Sequence, residues 1–318
     1  MFQDWNMISG EGVYIMLDTL ELVTTGLIDD YHREIMSNNM PHNIYPKNNT
    51  THYKYQKNND STEPLVKYTA ETNKLVINIP SVSKFIYGTS LKMFKLKDLP
   101  LLYSKLQDYL QQELNVQHLV TSSQWTVQKM DIYYDFQVGQ DVPDYIEAFK
   151  QIKLSKYTEG CYSNQTVFWK SNSKYIQFYD KEQECLSKNK ERQHIALSIG
   201  VLRFEVGIKA QEINRHFKSQ LLQDVADETL LKELLKKHLE LLDIWNLEVT
   251  TEHEVFRRLT ASFDMPKAIV LLGYLRSKLL NQAAGRISRT TEHRYKKAIK
   301  DAGVCPVIAT KRLPPLLI

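Results

Sequence analysis

Cysteine is scarce in this chain: Cys161, Cys185 and Cys305 are the only three in 318 residues, and none stands in a CxxC spacing. An odd, scattered set argues against a disulfide framework or a thiolate metal site and fits a reducing cytosol. Long apolar runs are missing as well. No stretch approaches the ~18–20 residues needed to cross a bilayer. The opening MFQDWNMISGEG has no basic region followed by an apolar one, so no secretory signal is expected. Internal repeats are also absent. The expectation is a cytoplasmic protein with no membrane partner, long enough for one large or two ordinary domains.

The net charge is small, +4, but it is unevenly spread. From Phe256 onward there are 13 Lys and Arg against 3 Asp and Glu, so this tail carries +10 and the preceding residues carry −6. A basic tail on a mildly acidic body points to a polyanion, nucleic acid first. A merely solubilising surface is the plain alternative.

Periodicity then sorts the chain. GVYIMLDTLELVT (12–24), KLVINIP (74–80), WTVQKMDIYYDFQV (125–138), TVFWK (166–170), YIQFYDK (175–181) and LRFEVGIK (202–209) read as strands. DLPLLYSKLQDYLQQELNV (98–116) and PDYIEAFKQIKL (143–154) read as helices. Residues 36–64, with seven Asn and three Pro, read as a polar loop or disordered insertion. The order predicts an α+β fold, an antiparallel sheet with helices on one face. After about residue 213 the pattern turns helical, over 226–245, 266–282 and 288–304. The expected division is therefore a domain at 1–212 and a helical one at 213–318.

Three strand segments put chemistry-bearing residues on alternate positions. Tyr175, Gln177, Tyr179 and Lys181 share one face, Asp131, Tyr133 and Asp135 another, and Arg203 and Glu205 a third. If the strands are neighbours, the carboxylates suit a hard divalent cation such as Mg²⁺ or Mn²⁺. Such an ion polarises a scissile phosphate, and a nearby cation favours the phenolate of a tyrosine whose ordinary pKa is near 10. Each segment also has an ordinary structural reading, as charge pairs across a sheet face.

The ordered set of segments resembles the filamentous-phage gene II/X family of replication initiators and, more distantly, the Rep proteins of some rolling-circle plasmids. The matching pieces are IMLDTLEL, VINIPSVSKFIYGTS, VQKMDIYYDF, TVFWKSNSKYIQFYDKEQE, LRFEVGIK and SRTTEHRYKKAIKDAG. The resemblance implies a rolling-circle nuclease-like fold followed by a helix-turn-helix-like domain. It also implies a metal-dependent enzyme that nicks one origin strand, holds the 5′ phosphate on a tyrosine, and later rejoins the ends. Carried over by position, Tyr179 is the nucleophile and Lys181 its basic neighbour. Arg203 belongs to the active site and Asp131 and Glu205 are metal ligands, while Asp135, on the strand face of Asp131, is a further candidate ligand. Origin DNA, double- and single-stranded, and a host polymerase and helicase in a bacterial cytoplasm follow as partners. Two departures stand out: Thr89 and Ser90 follow Gly88 where relatives carry His or Asn, and no His-apolar-His triplet is present. The family's first strand starts near the initiator methionine, so residues 1–15, ahead of Met16, are expected to be a dispensable extension.

In the tail, Arg289, Arg294, Lys297 and Lys300 are the candidate DNA contacts. Tyr295, Ala298 and Ile299 are expected to pack inward. Two other functions compete: a non-catalytic DNA-binding initiator or repressor, and a tyrosine recombinase. The latter is the weakest, since His253 and Arg257 are separated by three residues rather than two.

Overall fold

The computed structural model describes residues 16–45, 50–60, 62–89, 92, 94–244, 247–279 and 287–318; the expected extension at 1–15 and Ser90 lie outside them. Strand β1 spans Met16–Thr25, buried on alternate positions as its pattern predicts. Asp29 caps helix α1, Asp30–Asn39, by accepting from the amide of His32. Strands β2, Met40–Tyr45, β3, Thr50–Gln56, β4, Leu65–Thr69, and β5, Lys74–Ile79, follow. Helix α2, Val82–Tyr87, is capped by Ser81, and α3, Leu99–Leu114, buries Leu102, Leu106, Tyr109, Leu110 and Leu114. Then come β6, Thr126–Gln137, α4, Val142–Phe149, β7, Thr158–Tyr162, β8, Thr166–Lys170, and β9, Lys174–Asp180. Helices α5, Lys181–Ser187, and α6, Arg192–Ser198, lead into β10, Val201–Lys209. The remainder is helical: α7, Ala210–His216, α8, Leu222–Val225, α9, Glu228–Leu241, α10, Glu252–Ser262, α11, Met265–Leu279, and α12, Arg289–Asp301.

Strand order in the sheet is β2-β3-β4-β5-β1-β6-β10-β9-β8-β7. The β1–β5, β1–β6, β2–β3, β3–β4, β4–β5, β7–β8 and β8–β9 ladders are all antiparallel. The fold class is the expected α+β sheet followed by helices. One expectation fails: residues 36–64 are not a loop, because β2, β3 and the end of α1 lie there. Only Tyr55 of β3 is buried, so that strand buries too little apolar surface to show a period-2 signal.

The described residues form two compact units that alternate along the chain. One comprises the residues up to Tyr134 together with Gly207–Glu233. Its core is β1, β4 and β5 with α3, where Leu20, Leu22, Val66, Leu75, Ile77, Leu106 and Leu110 are fully buried. The other comprises Asp135–Val206 and Leu234–Ile318. Here Phe149 of α4, Phe178 of β9 and Phe204 of β10 form a chain of rings, each pair 4.7 Å apart. These rings occupy one side of the strands and leave the polar residues of β9 and β10 to the other. The helices α10, α11 and α12 share a second core of Val255, Leu259, Leu271, Leu275 and Ile299.

Glycine is required where β6 meets β10. The carbonyl of Gly200 accepts from the amides of Val138, at 3.0 Å, and Gly139, at 2.9 Å. Both glycines have positive φ, and a Cβ on Gly200 would lie 2.6 Å from the Cα of Gly139.

Candidate active site

The polar side of β9 and β10 is built by strand alternation. Tyr175 and Tyr179 are four residues apart on β9, and Arg203 and Glu205 two apart on β10, so each pair points the same way. Tyr175 donates to Oε1 of Glu205 at 2.6 Å, and Tyr179 donates to Oε2 of the same carboxylate at 3.1 Å. One carboxylate thus holds two phenols, one on each oxygen. Tyr179 and Glu205 are buried, Tyr179 being 9% exposed, and Tyr175 is half-buried.

Beside them, Arg203 grips Asp135 bidentately, Nε to Oδ1 at 2.6 Å and Nη2 to Oδ2 at 2.7 Å. A fork of this kind satisfies both carboxylate oxygens with charge-assisted bonds. Both oxygens of Asp135, expected as a metal ligand, are therefore committed to the guanidinium.

Lys181 is not on the strand, as the sequence suggested. Asp180 ends β9 and caps α5, accepting from the amide of Gln183, so Lys181 is the first helical residue. The spacing of Asp180 and Gln183 is the N-terminal signal that marks this end. Lys181 remains near its expected partner, its Nζ 5.8 Å from the centre of the Tyr179 ring. It also binds Glu184 at 2.7 Å, and Lys188 binds the other oxygen of Glu184 at 2.5 Å. Glu184 is a residue the sequence reading missed. Burial alone would push its carboxyl up, but Lys181 and Lys188 overcome that and hold it at about 2, against an ordinary 4.5.

That depression has a pH consequence. A lowered carboxylate contributes stability in full above its unfolded value near 4.5, and loses it as the pH falls toward 2. After discounting for the exposure of Lys188, the contribution is about 1–3 kcal/mol. Urea unfolding at pH 3 and pH 6 should therefore differ less for Glu184→Gln than for the parent chain.

Asp131 belongs to the other compact unit and sits on the N-terminal part of β6. Its Oδ2 takes Nζ of Lys129 at 2.9 Å. Its Oδ1 is buried and has no hydrogen-bond partner. A buried, orphaned carboxylate oxygen is a donor suited to a hard cation, and of the expected ligands Asp131 meets that description. Among the described residues, no three His, Cys, Asp or Glu are gathered in a group that would cage a metal.

The chain matches, over residues 51–255, the family described as the N-terminal region of the gene II replication-associated protein. The chain belongs to this family. Every residue of the tyrosine–glutamate site lies inside the matched region, whereas α12 lies beyond it. Membership sets the protein among phage and plasmid replication initiators. No curated protein matches the chain. A rolling circle replication initiator protein from Geobacillus stearothermophilus aligns over 72% of this chain and 85% of its own, with 11% identity and a TM-score of 0.34. Methanococcus jannaschii TBP aligns over 72% and 98%, with 8% identity and a TM-score of 0.32. Scores this low speak for neither fold nor function. No helix among the described residues is long and apolar enough to cross a membrane.

The basic helix α12 matches its expected faces. Ile299 is buried and Tyr295 and Ala298 pack on the helical core, while Arg289, Arg294, Lys297 and Lys300 are exposed. Ser288 caps the helix, accepting from the amide of Thr291.

Proposed function

We propose that this protein is a site-specific single-strand DNA endonuclease and rejoining enzyme that starts rolling-circle replication through a 5′-phosphotyrosyl link. The observation that carries the reading is the Tyr179 hydroxyl held on the Glu205 carboxylate. In the forward step the phenol oxygen attacks phosphorus, its proton passes to Glu205, the bond from phosphorus to the 3′ oxygen breaks, and that oxygen takes a proton from water, Glu205 giving its own back to solvent. Attack by the 3′ hydroxyl on the phosphotyrosine reverses the exchange, so no nucleotide cofactor is consumed. Lys181, above the ring, favours negative charge on the phenol oxygen as it develops. Arg203, fixed by Asp135, keeps the polar side of β10 in register.

A Mg²⁺ or Mn²⁺ ion is part of the proposal, supplying Lewis-acid polarisation of the scissile phosphate. Of the expected ligands, Asp135 is set aside because Arg203 occupies both its oxygens, and Asp131, in the other compact unit, is given no part in this site. Host polymerase and helicase would take over at the freed 3′ hydroxyl.

The test is an incubation of the protein and a labelled single-stranded origin oligonucleotide with Mg²⁺ or Mn²⁺. A detergent-resistant adduct that maps to the β9 peptide supports the reading. Binding without any adduct would leave the non-catalytic initiator as the better description.

Duplex binding is assigned to α12. Its basic face would hold phosphates while its polar residues enter the groove. Each phosphate neutralised steepens the salt dependence of binding by about 0.9 in log–log slope. Replacing Arg294 and Lys297 together with Ala should therefore lower that slope by roughly 2. Cleavage of a short single-stranded substrate should be unchanged, and an equal fall in both activities would count against a separate binding helix.

A further inference from the structure

The tyrosine face does not end at β9. Register carries it outward: Tyr179 is opposite Thr166 of β8, and Thr166 is opposite Tyr162 of β7. Directly paired residues project to the same side of a sheet, so Tyr162 lies on the face of Tyr179, two strand spacings or roughly 10 Å away. Tyr162 is 66% exposed, although large aromatic side chains are usually covered. Its ring is nevertheless ordered, stacked on Phe168 of β8 with centroids 5.0 Å apart and planes 19° from parallel.

Two local features fix that stack. Ser163 and Asn164 both have positive φ, a turn that matches strand twist, and the amide of Gln165 bonds to the carbonyl of Tyr162 at 2.9 Å. Phe168 in turn lies over Gly160, its cross-strand partner, where a Cβ would stand 2.4 Å from the ring. Exposed Lys170, on the same face and opposite Tyr175, supplies a cation. Glu159, the acidic residue of β7, points to the other side and pairs with Lys153.

We infer that Tyr162 and Phe168 form a stacking platform for bases of single-stranded DNA, with Lys170 holding an adjacent phosphate. This rests on the reading of Tyr179 as the nucleophile and deepens it, by giving the strand a track leading to the phenol. Sequence-independent single-strand sites combine an aromatic face with a cation in this way. At about 3.4 Å per stacked nucleotide, the platform engages bases about three positions from the attacked phosphate.

The experiment is anisotropy of a labelled short oligothymidylate, and of an abasic oligomer of equal length, with the full chain in EDTA so that cleavage is suppressed. Tyr162→Ala should weaken thymidylate binding about 5- to 50-fold and leave abasic binding unchanged. Tyr162→Phe, which keeps the ring, should bind as the parent does. Gly160→Val, which displaces Phe168, should reproduce part of the loss. An unchanged thymidylate affinity in Tyr162→Ala, or an equal fall for the abasic oligomer, overturns the platform. Adduct formation at saturating DNA should be as fast in Tyr162→Ala as in the parent. An adduct mapped away from Tyr179 would overturn the nucleophile while leaving the binding result intact.

Discussion

Tyr179→Phe should leave no detergent-resistant protein–DNA adduct, while the folded chain and its affinity for origin DNA stay as they are. The substitution deletes one oxygen, and that oxygen is the atom that forms the new bond to phosphorus. Losing a nucleophile that works as a unit with its base typically removes the whole catalytic gain, here at least about 10³-fold. Tyr175→Phe is the necessary companion, because Tyr175 donates to the same carboxylate and at a shorter distance, 2.6 Å against 3.1 Å. It should retain the adduct. Glu205→Gln, which preserves shape but cannot take up a proton, should slow adduct formation about 10²- to 10⁴-fold. If Tyr175→Phe abolishes the adduct and Tyr179→Phe does not, the roles are exchanged on the same carboxylate.

The second large effect concerns stability. Arg203 and Asp135 retain only 10% and 22% side-chain exposure, and their fork is bidentate. Arg203→Met leaves the Asp135 charge without its partner in a poorly solvated place, and should cost about 3 kcal/mol. For a chain of this size that lowers the thermal midpoint by roughly 4–6 °C. The double variant Arg203→Met/Asp135→Leu should recover much of the loss, because two matched apolar groups leave no stranded charge. Thermal unfolding of the two single variants and the double variant measures the coupling, and strictly additive losses would count against a cooperative pair.

Much of this site was legible in the sequence because strand alternation is local. The residues of β9 and β10 declare their faces through the interleaved Ile176, Phe178, Phe204 and Val206, and the amphipathic pattern of α12 likewise separates Ile299 from Arg294 and Lys297. What alternation cannot give is the neighbour across the ladder. Asp135 looked as good a metal ligand as Glu205 until the structure put Arg203 on it. Lys181 was misplaced because period 2 continues formally through Asp180, whereas the cap on Gln183 turns the chain into a helix. The strand at 50–56 was hidden by its small buried area and by the asparagines on either side of it.

The double acceptor at Gly200 has a wider meaning for the chemistry. Counting inward from that clasp, three residues along each strand bring Asp135 against Arg203, and two further along β10 stands Glu205. A slip of a single residue would turn the arginine and the glutamate together into the phenylalanine rings behind them. The bare backbone of two glycines thus helps the Arg203–Asp135 fork set the register in which Glu205 keeps to the face away from the rings.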